Sequence, residues 1–265
     1  QEANATIVDR KRNNQSYPVL RTTGSTPNLE PETSETFNYG MVVTVPGIKG
    51  LSLGVDMFHT DQRNLTTNLS PQVIVDYENL FPGRITRGAP TAGDTAGGLP
   101  GQISELDARF INFGQVVTEG FDFNASYQLD ETSWGRFTVR AVGSYLATYK
   151  VAFNPGDPLV DRRGTFGFPQ KLKGNVSILW DRGRWGGALF VYYLGEVERV
   201  SETLPSFTTV DANLTYELNR RIRLQGGLGN IFDREPPFAN TTFGYDGGFH
   251  SAKMRTYNFS VTYNF

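Results

Sequence analysis

The chain has 265 residues, a net charge of −2, no cysteine and 38% hydrophobic residues. Nothing in that balance suggests a nucleic-acid partner, and the lack of cysteine excludes disulfides and cysteine-based metal sites. No run of about 18 apolar residues exists, so no transmembrane helix is expected; a membrane β-barrel stays open, because its strands give a much weaker hydropathy signal.

Aromatics make up 13% of the chain, with 19 Phe and 12 Tyr, and glycine is plentiful at 29 residues. This mix favours sheet over helix. The first residue is Gln1 and no signal peptide is visible, so a processed or partial chain is expected.

Period-2 alternation dominates from about residue 35 to the end. The first strand expected is 36-TFNYGMVVTV-45, with Phe37, Tyr39, Met41, Val43 and Val45 on one face. The second is 50–61, with Leu51, Leu53, Val55 and Met57 aligned and His59 continuing the register. The third is 116–130, where Val117, Phe121, Phe123, Ala125, Tyr127 and Leu129 oppose Thr118, Asp122, Asn124, Ser126, Gln128 and Asp130. The fourth, 136–151, sets Phe137, Val139, Ala141, Tyr145, Ala147 and Tyr149 against Thr138, Arg140, Ser144, Thr148 and Lys150. The fifth is 171–180. The sixth, 184–197, is apolar on both faces in its middle, which leaves its orientation open. The seventh, 208–218, alternates from Val210 to Leu218. The eighth is 221–232 and the ninth ends the chain as 254-MRTYNFSVTYNF-265. Each runs roughly 10–15 residues, against about 5–6 for ordinary strands and about 9–11 for a tilted membrane-spanning one.

Short and long connections alternate. The short ones are 46–50, 130–135, 181–184 and 218–221; the long ones are 62–115, 152–169, 198–207 and 233–253. An antiparallel meander with tight turns at one end and long loops at the other follows, as in outer-membrane barrels. Trp134, Trp180 and Trp185 all sit beside short turns. Indoles at the edge of an apolar band mark a lipid–water interface. The odd residues of the last strand would face lipid and the even ones a lumen. We therefore expect an all-β, antiparallel transmembrane meander.

Four segments carry a resemblance. The stretch 228-LGNIFDREPPF-238 contains Asn230-Ile231-Phe232-Asp233. The last strand runs from Arg255 through alternate aromatics to Phe265. Upstream lie 24-GSTPNLEPETSETFNYG-40 and 112-NFGQVVTEGFDFNASY-127. In this order they resemble the C-terminal region of TonB-dependent outer-membrane receptors. The resemblance implies the last nine or so strands of a plugged barrel of roughly 22 strands. Nine is an odd count, and neither a plug nor a TonB-binding segment is recognisable. Residues 1–31 are expected as an extracellular loop segment and residues 32–265 as the C-terminal part of the barrel, the remainder lying in the same or another chain. The implied partners are outer-membrane lipid, that remainder, the TonB complex through the plug, and the barrel-assembly machinery. The last of these would read Tyr257, Phe259, Val261, Tyr263 and Phe265. The implied function is energy-coupled uptake of a siderophore, cobalamin, saccharide or peptide in a Gram-negative outer membrane. A passive porin or barrel adhesin is the alternative.

No nucleophile–base arrangement stands out. Asp157 and Asp161 lie in 154-NPGDPLVDRRG-164, which reads as a solvated loop, and no Gly-x-Ser-x-Gly exists. The histidines, His59 and His250, lack metal-ligand spacing. No enzyme activity, cofactor or nucleic-acid partner is expected. Asn230 to Arg234 reads as strand-end chemistry, and Arg255 as one half of an ion pair across the wall. Loops carry specificity. Aromatics stack on rings and Arg binds carboxylates. The ligand-contact candidates are therefore Tyr77, Phe81, Arg84, Arg87, Arg162, Arg163, Phe166, Tyr245, Phe249 and His250, with Phe168 and Phe243 beside them.

Overall fold

The computed structural model describes residues 2–27, 29–112, 114–153, 157–200 and 202–265. Asn28 and Phe113, each inside a segment that carries the resemblance, and Asn154 to Gly156 of the expected solvated loop lie outside the described residues.

Nine long strands form one antiparallel meander. Two strands precede it, β1 (Glu2–Asp9) and β2 (Gln15–Thr22). The meander begins with β3 (Thr33–Thr44) and β4 (Leu51–Arg63). The long connection that follows carries helix α1 (Pro71–Asp76), strand β5 (Ile85–Arg87), helix α2 (Ala92–Ala96) and strand β6 (Ile103–Asp107). The wall resumes with β7 (Gln115–Gln128), β8 (Arg136–Ala152), β9 (Leu172–Arg182) and β10 (Trp185–Leu194). It finishes with β11 (Phe207–Glu217), β12 (Ile222–Gly229) and β13 (Thr256–Tyr263). All nine elements expected from alternation are present, and each neighbours the next in chain order.

Register turns the alternation into two continuous faces. Met41, Val55, Phe123 and Gly143 are successive cross-strand partners, as are Ala141, Val176, Val191 and Val210. At the far edge Leu228 meets Tyr257 and Leu224 meets Val261. These residues make an apolar belt across all nine strands. Because the side-chain period is 2, one residue of slippage would turn a whole strand inside out, so the belt fixes the register. The middle of β10, apolar on both faces, is settled by the same pairing: Leu189 and Val191 belong to the belt, while Phe190 and Tyr192 face the polar side. Gly143 admits the Phe123 ring, since a Cβ there would come within 2.3 Å of it.

The opposite face is polar and mostly uncharged. Asn124, Ser126, Asn213, Asn258 and Ser260 lie on it. So do Asp56 and Asp122, directly opposed across β4 and β7, and Lys173 two strands further on.

One expectation fails inside β8. The pairing with β7 shifts by one residue between Leu146 and Thr148, a β-bulge. A bulge adds an unpaired residue and reverses the facing of everything beyond it. Tyr149, expected beside Phe137 and Tyr145 on the belt, is therefore turned to the inner side, where its ring lies 6.1 Å from that of Phe168. Val151 and Phe153 follow it inward and are buried.

The long connections are not loose. Residues 1–31, read from sequence as loop, contain the β1–β2 hairpin. Its second strand runs parallel to β6, which also pairs with β5, giving a four-stranded sheet in the order β1-β2-β6-β5. Ser70 caps α1, its Oγ accepting from the Val73 N–H at 3.3 Å, and a Thr91–Asp94 capping box starts α2. Ile7, Val19, Ile74, Phe81, Leu106 and Val151 are among the side chains that close a core at this end. A second cluster gathers Val73, Phe166, Val197, Leu204 and Ala239. The result is a folded cap over the loop end of the wall.

The Asn-Ile-Phe-Asp-Arg punctuation at the end of β12 is structural. Asn230 adopts φ 48°, its Nδ2 donates to the Arg234 carbonyl at 2.9 Å and its Oδ1 accepts from the Arg234 N–H at 2.9 Å. Asp233 in turn accepts the Arg255 N–H at 2.7 Å, tying the start of the last strand to the end of the one before. The ion pair expected of the Arg255 side chain is not formed among the described residues; its backbone makes the contact instead.

Candidate functional site

The candidate site is the underside of the cap and the polar wall below it. Its arginines are spoken for. Arg87, on β5, donates to Asp9 at 2.8 and 3.2 Å, to Glu78 at 2.8 and 3.1 Å, and to the Gly101 carbonyl at 2.9 Å. Burial pushes the Asp9 carboxyl up, but hydrogen bonds from Arg87 and Tyr17 outweigh it, so Asp9 ends below its ordinary value. Glu78 is held low chiefly by Arg87. The Tyr17 hydroxyl, buried and donating to Asp9 at 2.5 Å, is pushed up to about 12. Arg84 donates to the carbonyls of Asp107 and Arg109, each at 3.1 Å. Arg163 pairs with Asp161 at 2.9 Å and donates to the carbonyls of Leu146 and Ala147, the acceptors freed by the bulge.

The aromatic candidates divide. Phe81 is buried edge-to-face against Phe153, ring centroids 4.9 Å apart. Phe166 is buried beneath Arg199, whose Cζ stands 4.1 Å from the ring centre. Tyr77 packs on Phe168, and Arg162 lies 5.3 Å over its ring and 5.9 Å over that of Phe153. These residues hold the cap together; Phe81 and Phe153 also border a hollow of about 360 Å³ with Arg84 and Glu30. Phe243 is 78% exposed, with Tyr245 beside it at 6.5 Å.

Phe249 and His250 reach the wall. Phe249 lines a cavity of about 280 Å³ with Tyr192, Phe207, Asp211 and Lys253. His250 is buried, its ring 5.3 Å from Phe207, and neither ring nitrogen has a protein partner. Burial lowers its pKa and keeps the imidazole neutral. Burial raises that of Asp246, whose backbone carbonyl accepts the His250 N–H at 2.9 Å. Among the described residues no group of three or more His, Asp or Glu could hold a metal ion.

A larger hollow of about 430 Å³ opens on the wall itself, lined mainly by apolar surface, with Gly143 and Gly174 lying in one cross-strand row between Phe123 and Tyr193; Asp122, Asn124, Ser144, Lys173, Asn175 and Tyr192, of the opposite parity, also border it. Sequence reasoning put Asp122, Asn124 and Ser144 on a polar face, left the orientation of the strand holding Tyr192 open, and chose candidates only from the loops.

The fold has close counterparts. The chain superposes on the ferric enterobactin receptor of Pseudomonas aeruginosa with a TM-score of 0.56 and 17% identity, over 99% of this chain and 35% of that one. It matches the siderophore receptor PirA of Acinetobacter baumannii at 0.55 and 14%, over 99% and 35%. It matches the copper transporter OprC at 0.56 and 16%, over 92% and 34%. The chain thus spans about a third of the length of these structures. No curated protein sequence matches it. Residues 9–231 match the family described as TonB dependent receptor-like, beta-barrel. With nine register-locked strands, a belt on one side, a polar wall on the other and a folded cap at the loop end, the chain belongs to the TonB-dependent receptor β-barrel family, whose place is the outer membrane of Gram-negative bacteria.

Proposed function

We propose that this chain is the wall and cap of a receptor that takes up a scarce nutrient against its gradient, with energy delivered by the TonB complex through a plug carried elsewhere in the protein. The observation that supports this most is the polar inner wall roofed by a folded cap: a passive channel needs an open mouth, whereas a receptor needs a surface that grips. The substrate class is an iron or other metal chelate, by analogy with the structures the fold matches, and cobalamin, saccharide or peptide are the other cargoes this architecture serves. Tyr245, Phe249 and the wall residues Lys173 and Tyr192 are the contacts we favour, since Arg84, Arg87 and Arg163 are held by protein acceptors and Arg162 lies over the Tyr77 and Phe153 rings. The belt faces lipid, and Tyr257, Phe259, Val261, Tyr263 and Phe265 form the segment read by the barrel-assembly machinery.

Uptake of radiolabelled ferric chelates, vitamin B12 and oligosaccharides by cells expressing the complete receptor tests this. One of these cargoes is expected to accumulate, and accumulation is expected to vanish when TonB is deleted or the inner membrane is de-energised. Accumulation that persists unchanged without TonB sinks the proposal in favour of a passive porin.

A further inference from the structure

All three tryptophans of the chain stand at the short-turn rim. Trp180 and Trp185 belong to the belt face, the first paired across the sheet with Phe137 and Gly187, the second with Arg182 and Tyr216. Both are fixed in place. The Trp180 Nε1–H donates to the Trp134 carbonyl at 2.7 Å, and the Trp185 ring lies 4.5 Å from that of Tyr216. Trp180, Arg182, Gly183, Trp185 and Leu214 line an open groove between them. Arg182 has the same strand parity as Trp180, so its guanidinium emerges on the belt side, 5.9 Å over the Trp134 ring.

Charge around this rim is uneven. Lys49 is neutralised by Asp130 at 2.9 Å, Arg136 faces Glu131 at 3.9 Å, and Arg223 is held by Glu217 at 2.6 Å. Arg182, Arg184, Arg220 and Arg221, on two adjacent turns, have no carboxylate partner among the described residues. With Asp181 in the same turn and Arg184 donating to the Leu218 carbonyl at 3.3 Å, these four arginines make a locally basic patch in a chain of net charge −2.

We infer that the Trp180–Arg182–Trp185 groove is a binding site for an anionic phospholipid of the leaflet at the short-turn end. The inference rests on the membrane placement proposed above. In an outer-membrane barrel the short turns face the periplasm, so that leaflet is the inner one. Indoles place the groove at the depth of glycerol and headgroup. A planar guanidinium fits the two free oxygens of a phosphodiester. Leu214 and the indole faces take the upper acyl chain. A net negative headgroup is selected because Arg184, Arg220 and Arg221 add a field that a zwitterion would not feel as strongly.

The test places the complete receptor in nanodiscs containing a phosphatidylcholine host and a minor fraction of lipid brominated near the glycerol. The brominated lipid is phosphatidylglycerol in one set and phosphatidylcholine in the other. The fluorescence due to this rim is isolated by difference against Trp180→Phe with Trp185→Phe. Phosphatidylglycerol is expected to quench it at about fivefold lower mole fraction, the factor one interfacial Arg supplies. Arg182→Gln is expected to raise the mole fraction of either lipid needed for quenching, and Arg184→Gln with Arg220→Gln and Arg221→Gln to abolish the preference for phosphatidylglycerol. Arg136→Gln, which alters an already paired arginine, is expected to leave the preference intact. Equal quenching by the two lipids overturns the site while the membrane reading stands. Absence of quenching by either lipid overturns both.

Discussion

Arg87 shows how a single side chain can be misjudged from its neighbourhood in sequence. In 77-YENLFPGRITRG-88 it sits among aromatics and glycines, as a ligand-binding arginine would. One of its two carboxylate partners, Glu78, lies in the same stretch, but the other, Asp9, is 78 positions away, and a linear pattern carries no trace of that pairing. Replacing Arg87 with Met leaves the Asp9 carboxylate buried without a counter-charge. Removing one partner of such a pair costs about 3–5 kcal/mol. Hydrogen exchange of the β1–β2 amides is expected to accelerate accordingly, and Asp9→Asn in the same protein to restore part of the protection. Acid acts on the same network. Asp9 and Glu78 are both held below their ordinary values of 3.8 and 4.5. A depressed carboxylate contributes stability that is full above its unfolded value and lost as pH falls through the folded one. Cap amides are therefore expected to lose protection below about pH 4.5, before the wall strands do. Protection of the cap that is unchanged down to pH 2 would remove the network from this role.

At the scale of elements, the nine strands were legible because a half-buried strand writes its period directly into the chain. The bulge was not. Alternation in 136–151 continues smoothly through Ala147, since Tyr149 and Val151 are apolar and would suit either side. What reverses them is backbone geometry, held by Arg163 reaching the carbonyls of Leu146 and Ala147. The β1–β2 hairpin was missed for a related reason: its partner strand lies beyond residue 100, and its pairing there is parallel. Deleting Ala147 should restore a regular ladder and send Tyr149 to the outer side, away from Phe168. Limited proteolysis is expected to cut residues 157–170 many times faster in that variant, while the β-sheet signal in circular dichroism stays near that of the parent. Cleavage at the parent rate would mean that the bulge does not position the cap.

Across the whole molecule the two faces have different tolerances. Val176 lies in mid-belt between Ala141 and Val191, and Asn175, one position away, points to the polar wall. An arginine at a lipid-facing midpoint costs about 2–4 kcal/mol, and one on the lumen side far less. Guanidinium unfolding in lipid vesicles is expected to separate Val176→Arg from Asn175→Arg by that margin. Equal destabilisation would assign the faces wrongly.

The cap has a knot. Asp76 is paired at 3.3 Å with Arg10 and at 3.3 Å with Arg199, and both arginines also donate to the Asn240 carbonyl. Four separate connections, from the β1–β2 turn, α1, the segment after β10 and the segment after β12, converge there. Their fluctuations are consequently not independent: freeing one leaves polar groups of the others without a partner. Under the proposed function, a ligand would meet a braced plate with a single opening free energy, where four unlinked loops would each yield to thermal motion in its own time.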